Sequence, residues 1–185
     1  MSKSPINKLR QEHGDMRSVL VVIRDQLELL ETGKTPDFVL LANALHYMRR
    51  FPSQVHHPKE DLIFAHLAER APEMRKAVEH ARREHRQIYE QEEWLIECAL
   101  NAPKPGTLSR GRLLDIGRAY LETQREHSER EERILFPAAE THFSDADWED
   151  LARAFQEVDD PLFGRKPGER YELLHEHLLR ESNRG

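Results

Sequence analysis

The sequence predicts an all-α protein: an up-down antiparallel four-helix bundle over residues 1–142, with a helical appendage over 143–185 packed on it. Three observations point there. The chain is 38% apolar and 34% charged with only 8 glycines, and is rich in Glu, Leu, Ala and Arg, a mixture that favours long helices over sheet. Apolar residues recur at alternating steps of three and four through four successive stretches, the spacing of one face of an amphipathic helix. Turn-forming residues stand between those stretches, so the segments suit helices of roughly 25 to 35 residues joined by short turns. At 185 residues the chain is the size of one domain with one core.

The first helix carries Ile6, Leu9, Met16, Leu20, Ile23, Leu27 and Leu30 on one stripe, with His13 in its gap, and ends near Thr32–Gly33, where glycine caps it. Thr35–Pro36 starts the second, with proline in the tolerated first turn. Its stripe is Phe38, Leu41, Leu45, Met48, Pro52, His56, Glu60, Ile63 and Leu67. Pro52 and Pro58 each delete a helical hydrogen bond, so this helix should bend beside His56. The third runs from about Pro72 with Met74, Val78, Ala81, His85, Ile88, Leu95 and Ala99 inward. A Pro/Gly linker at 101–106 follows, and the fourth helix extends from about Leu108 to Thr141 with Leu113, Ile116, Tyr120, Thr123, His127, Glu131, Ile134 and Ala138 inward. In the appendage, Ser144 to Asp147 reads as a helix start, Trp148, Leu151, Phe155 and Val158 form a short apolar face, and Glu169 to Arg180 makes a final helix.

The net charge of -6, with signs interleaved, leaves no sustained basic face, which argues against nucleic acid or an anionic membrane as partner. The cluster Arg82, Arg83 and Arg86 reads as a solvated helix face. Cys98 is the only cysteine, so neither an intrachain disulfide nor a thiolate cluster can form, and any metal ligands are nitrogen and oxygen. Met1 to Leu9 lacks a signal-peptide core, and the longest aliphatic run, Val19 to Ile23, is too short to cross a bilayer, so a reducing cytoplasm is the expected compartment.

Position singles out four of the 11 histidines and the acids near them. Glu12-His13 and His56-x-x-x-Glu60 are followed by Glu84-His85 and His127-x-x-x-Glu131, spaced 43 and 42 residues from first to second histidine, with the unit recurring at an offset of 72 or 71. Residues four apart lie above one another on a helix, so each His/Glu pair can serve one metal or adjacent ones. Glu60 and Glu131 stand in stripes of Leu and Ile, where an uncompensated charge is costly and a cation is the strongest available compensation. Internal repetition of the set implies a pseudo-symmetric two-metal centre of His13, His56, Glu60, His85, His127 and Glu131. Nitrogen and oxygen donors without sulfur favour Fe, Mn or Zn. His57 lies about 100° round an ideal helix from His56 and is expected outside the ligand set, at the surface or behind it. His80 and Glu84 read as a surface pair, and His46, His66, His142, His175 and His177 lack the repeat. Tyr120 reads as pocket lining or core filler, and Glu92 as a conduit for protons or ions or as a group at a wet edge.

The pattern His, His-x-x-x-Glu, His, His-x-x-x-Glu, over about residues 5 to 142, resembles the hemerythrin-like family, the His-His-Glu cation-binding domain. The tail Asp160-Pro161-Leu162-Phe163-Gly164 after a Trp-containing helix looks like that of bacterial stand-alone members. The resemblance implies two non-haem Fe ions joined by an oxo bridge, Mn or Zn being alternative metals, with the Glu60 and Glu131 carboxylates bridging. It implies a protein that binds or reacts with a small diatomic or peroxide ligand, namely nitric oxide, oxygen or hydrogen peroxide, in a nitrosative or oxidative stress response. The alternative is a non-catalytic module that stores or senses iron or oxygen. Oxygen carriers of the family have His-x-x-x-His on the third helix, whereas four residues before His85 this chain has Ala81. That departure resembles di-iron proteins implicated in iron-sulfur-centre repair and nitric oxide handling, and implies an open position on the metals.

Overall fold

A computed structural model describes residues 5–102, 110–155 and 158–182; among these the chain is helical and contains no strand. Helix α1 spans Pro5–Glu31, α2 Phe38–Arg50, α3 His57–Arg70, α4 Arg75–Asn101, α5 Arg110–Arg130, α6 Phe136–His142, α7 Asp145–Ala154 and α8 Glu172–Ser182. Most of the expected linker and the expected start of the fourth helix at Leu108 lie outside the described residues. No helix among the described residues is long and apolar enough to cross a membrane.

The sequence signals at the first turn hold in part. Gly33 adopts φ 83°, the left-handed conformation that ends α1, and the Lys34 amide donates back to the Leu29 carbonyl at 2.9 Å. The next helix starts later than expected. Asp37 caps it, accepting from the Val39 and Leu40 amides at 3.0 and 2.9 Å, and Pro36 stands outside it.

The second and fourth helices are not continuous. A π turn at Pro52–His56 separates α2 from α3: the His56 amide donates to the Phe51 carbonyl at 3.2 Å and the His57 amide to the Pro52 carbonyl, so one residue is added to the turn. Pro52 and Pro58, neither with an amide hydrogen to give, flank the break where a bend was expected. A second π turn at Glu131–Leu135, before Pro137, divides α5 from α6 and was not expected.

Helix α1 lies against α2 and α5, and α4 lies against the same two, so the four close into a ring. Inside are two apolar clusters. One includes Met16, Ile23, Leu45, Phe51, Ile88, Leu95 and Tyr120; the other includes Leu9, Ile63, Phe64, Ala81, Leu135 and Phe136. Along each of the four segments the change from one cluster to the other falls at the histidine and glutamate positions: between Leu9 and Met16, Phe51 and Ile63, Ala81 and Ile88, and Tyr120 and Leu135. The polar residues thus form a layer between two apolar caps.

The C-terminal segment packs on both clusters: Phe143 and Leu151 join one, Leu162, Tyr171 and Leu174 the other. Ser144 and Asp147 form the capping box expected from their spacing. Helix α7 ends at Ala154, before Val158, which is exposed. Asp160 accepts from the Leu162 and Phe163 amides through Oδ1 and from the Tyr47 hydroxyl through Oδ2 at 2.8 Å, tying this turn to α2. Gly164 completes it, because a Cβ there would stand 2.3 Å from the Asp160 carbonyl oxygen.

Candidate metal centre

The polar layer brings together all six residues expected from the repeat, each buried. The two carboxylates have the same relation to the histidines around them. Glu60 Oε1 lies 2.9 Å from His56 Nε2 and 3.4 Å from His13 Nε2, while its Oε2 lies 3.5 Å from His85 Nε2. Glu131 Oε1 lies 3.2 Å from His127 Nε2 and 3.5 Å from His85 Nε2, while its Oε2 lies 3.4 Å from His13 Nε2. Each glutamate therefore turns one oxygen toward His13 and the other toward His85. Close approach is not hydrogen bonding here. All four carboxylate oxygens, with Nε2 of His56, His85 and His127, are buried and lack an aligned hydrogen-bond partner. Unsatisfied groups at this density are costly unless a cation takes up their lone pairs, so the donors present fit a metal. Two groups have donor atoms all within 4.8 Å of one another: His13, His56 and Glu60, and Glu60, His57, His85 and His127. Glu60 belongs to both.

Every one of the four imidazoles has a carboxylate on its other ring nitrogen. His56 Nδ1 meets Glu12 at 2.6 Å and His127 Nδ1 meets Glu84 at 3.3 Å; His13 Nδ1 meets Glu132 at 3.0 Å and His85 Nδ1 meets Asp61 at 3.2 Å. These pairs repeat with the same offset as the histidines. Lys59 lies 3.5 Å from Glu12, and Arg130 donates to Glu84 at the equivalent place. A carboxylate on Nδ1 fixes the ring with Nε2 toward the centre and raises its basicity. Glu12 and Glu84 are nearly buried, whereas Glu132 and Asp61 have 34% and 42% of their side-chain surface exposed, so water competes for the latter pair. Glu12→Ala and Glu84→Ala should each weaken metal binding by about 10- to 100-fold, and Asp61→Ala and Glu132→Ala by less. Competition with a chromophoric chelator measures all four; equal effects would mean that burial does not set the strength of these contacts.

Without a cation the layer is charged in another way. Burial opposes protonation of His13, but Glu131 and Glu60 outweigh it and raise the ring to about 10. Burial likewise opposes protonation of His85, where Asp61, Glu131 and Glu60 raise it to about 12. Burial would raise Glu60, yet His56, His13 and His85 hold it well below the usual carboxylate range. At neutral pH an incoming cation must therefore displace protons from imidazole.

Three expectations need correction. His57 is not at the surface: it is buried, with its ring stacked 4.2 Å from that of His85 at 11° and 5.4 Å from that of His127. Burial and the neighbouring His85 and His127 hold it well below the usual histidine range, in the neutral form. Of the two placements expected, the one at the surface fails, because 100° per residue does not hold through a stretch where the π turn adds a residue. Glu84 is likewise no surface group; it lies 3.2 Å from the half-exposed His80 but faces inward to His127 and Arg130. Glu92 is not at a wet edge, being fully buried, accepting from Ser53 at 2.7 Å and Tyr120 at 3.1 Å, and burial raises it to about 7. Tyr120 in turn accepts from Gln124 at 3.2 Å and sits in the core. The roles of Glu12 and Glu84 were available in the repeat, where each precedes a histidine, but their partners are on other segments and no single-helix period reveals them. Ala81 is fully buried in an apolar cluster, so nothing one turn before His85 offers a donor.

The chain is 22% identical over 156 residues to uncharacterized proteins of Mycobacterium bovis and of two strains of Mycobacterium tuberculosis, covering 84% of this chain and 61% of theirs. It thus spans about three fifths of the length of these curated relatives. No solved structure matches it significantly. The hemerythrin HHE cation-binding domain matches residues 4–139, a span that contains the entire polar layer. With that match over most of its length, the chain belongs to the hemerythrin HHE cation-binding domain family.

Proposed function

We propose that this cation-binding domain holds two iron ions, ligated by His13, His56, Glu60, His85, His127 and Glu131, and that the protein binds or reacts with nitric oxide, oxygen or peroxide. The observation that carries this reading is the placement of Glu60 and Glu131, each with one oxygen beside His13 and the other beside His85. Two carboxylates so arranged suit a pair of cations better than one. The closed ring of α1, α2, α4 and α5 is read as the up-down antiparallel bundle of the family. Bound iron would supply electrons and a coordination position for a small ligand.

The chain's own residues do the rest. The carboxylates on Nδ1 fix the imidazoles, and the apolar clusters on either side keep bulk water from the layer. Approach is available from one side. A cleft of about 510 Å³ is lined by Ser53, His57, Pro58, Asp61, Arg82 and His85 among others, so a small molecule reaches the His85 edge without the fold opening.

Protein made in iron-supplied cells should contain about two iron per chain, and its reduced form, titrated anaerobically with nitric oxide and with oxygen, should change its absorption and turn over. Recovery of the starting spectrum through repeated cycles of oxygenation and degassing would replace the redox reading with that of a carrier or sensor. Protein without bound iron would defeat the proposal at its base.

A further inference from the structure

We propose that Glu92 is a proton-holding residue that serves the centre through Ser53, giving up a proton to the small molecule reduced in the cleft and taking one back from solvent; this rests on the redox reading above. Glu92 is fully buried beside Tyr120 in one of the two apolar caps. An acid in such surroundings is costly while charged. The charged and titratable groups that face it are Arg49 from α2 and Tyr120 from α5, with the Ser53 hydroxyl from the π turn. Arg49 favours the carboxylate, but its guanidinium also donates to Glu93 at 3.3 Å and lies over the Tyr89 ring. Burial prevails and raises the acid to about 7. Glu92 therefore exchanges its proton at neutral pH.

The hydrogen bonds direct that proton toward the cleft. Glu92 Oε1 accepts from Tyr120 at 3.1 Å, and the Tyr120 oxygen accepts from Gln124 at 3.2 Å. Burial, with the Glu92 charge beside it, raises the Tyr120 hydroxyl well above the usual tyrosine range, so Tyr120 keeps its hydrogen. Glu92 Oε2 meets the Ser53 hydroxyl at 2.7 Å, and a serine hydroxyl can both give and accept a hydrogen. Ser53 in turn lines the cleft that reaches His85. A proton on Oε2 thus passes to Ser53 as the Ser53 hydrogen passes outward. With hydrogen peroxide the O–O bond breaks, and two electrons come from the two irons, each going from ferrous to ferric. Two protons complete two waters, one from Glu92 and one from solvent in the cleft. Glu92, left as carboxylate, is reprotonated through Ser53.

Two readouts separate this role from a structural one. Infrared difference spectra of iron-loaded, oxidised protein should show a carboxyl band that titrates near pH 7 and is missing from Glu92→Gln. Rapid mixing of reduced protein with peroxide should give an oxidation rate that falls as pH rises through about 7. In Glu92→Gln the rate should be flat over that range and, on its acid side, lower by about 100-fold or more, with iron content unchanged. Tyr120→Phe removes a bond to the carboxylate and should move the midpoint of both titrations to higher pH. Wild-type protein without such a band overturns the proposal, as does Glu92→Gln with the wild-type rate and pH dependence. If Glu92→Gln does not fold or hold iron, a folded, loaded Ser53→Ala with the wild-type rate and midpoint overturns it equally. Wild-type protein that peroxide does not oxidise fails the redox reading and takes the proposal with it, whereas an oxidised wild type beside an unaltered Glu92→Gln fails the proposal alone.

Discussion

Glu60→Gln should remove both metal ions from the protein, not one. The substitution keeps the side chain's shape and burial but replaces a charged two-oxygen donor with a neutral amide. Glu60 alone belongs to both groups of converging donors, with Oε1 beside His56 and His13 and Oε2 beside His85. Metal content measured after passage over a chelating resin should fall from about two per chain to well below one, since losing a shared charged ligand affects both sites together. Alanine at His56 or at His127 should cost less, because each imidazole lies in one half only, and His80→Ala should leave the content unchanged. The idea fails if Glu60→Gln keeps both ions, or if His80→Ala strips the site as thoroughly as His85→Ala does.

Stripping the metals should lower the melting temperature, and by more as pH rises. Two buried carboxylates lie among four imidazoles, and without cations their charge is balanced by imidazole protons. His13 has a folded value of about 10 against an unfolded one near 6.5, a raised value, so its contribution to the metal-free fold is fully present below ~6.5 and is lost as pH climbs through about 10. His85 behaves in the same way up to about 12. The loaded protein has the opposite dependence, because cations bind deprotonated imidazole and competition from protons weakens with rising pH. At neutral pH, free metal at a hundred times its dissociation constant adds ~2.7 kcal/mol, or roughly 5–10 °C for a chain of this size. Calorimetry of loaded and stripped protein from pH 7 to pH 9.5 tests this; a gap that is absent, or that narrows with pH, would show that the carboxylates are not balanced as described.

Much of this was legible in the sequence because helices have a period. His13, His56, Glu60, His85, His127 and Glu131 fall on apolar stripes, and their recurrence at one offset set them apart from the other histidines. The structure places these six in one layer. What the period hid was of two kinds. A stripe describes the inward face of one helix, so it says nothing of contacts such as Glu12 to His56 or Glu84 to His127, made between segments by residues beside the stripe. It also assumes a constant turn, and the π turns at Pro52–His56 and Glu131–Leu135 break that assumption; the first misplaced His57. Prolines at 52 and 58 mark the first irregularity as a bend without revealing its sense, and the second has a proline, Pro137, only after it.

The matched outer carboxylates have a further consequence, one of concentration. Glu12 to His56 and Glu84 to His127 each close within one half of the chain, whereas Glu132 to His13 and Asp61 to His85 each cross between halves. Neither half is complete alone, and two copies of one half could in principle form the same layer about a twofold axis. Such a dimer would lose its metals on dilution. Here the turn at residues 71–74 joins the halves, and tethering by a short connection fixes their effective concentration at the order of millimolar or above, whatever the protein concentration. Metal occupancy should therefore be the same at nanomolar as at micromolar protein when free metal is held constant, a property that the covalent joining of two equivalent halves confers and that no single contact in the layer supplies.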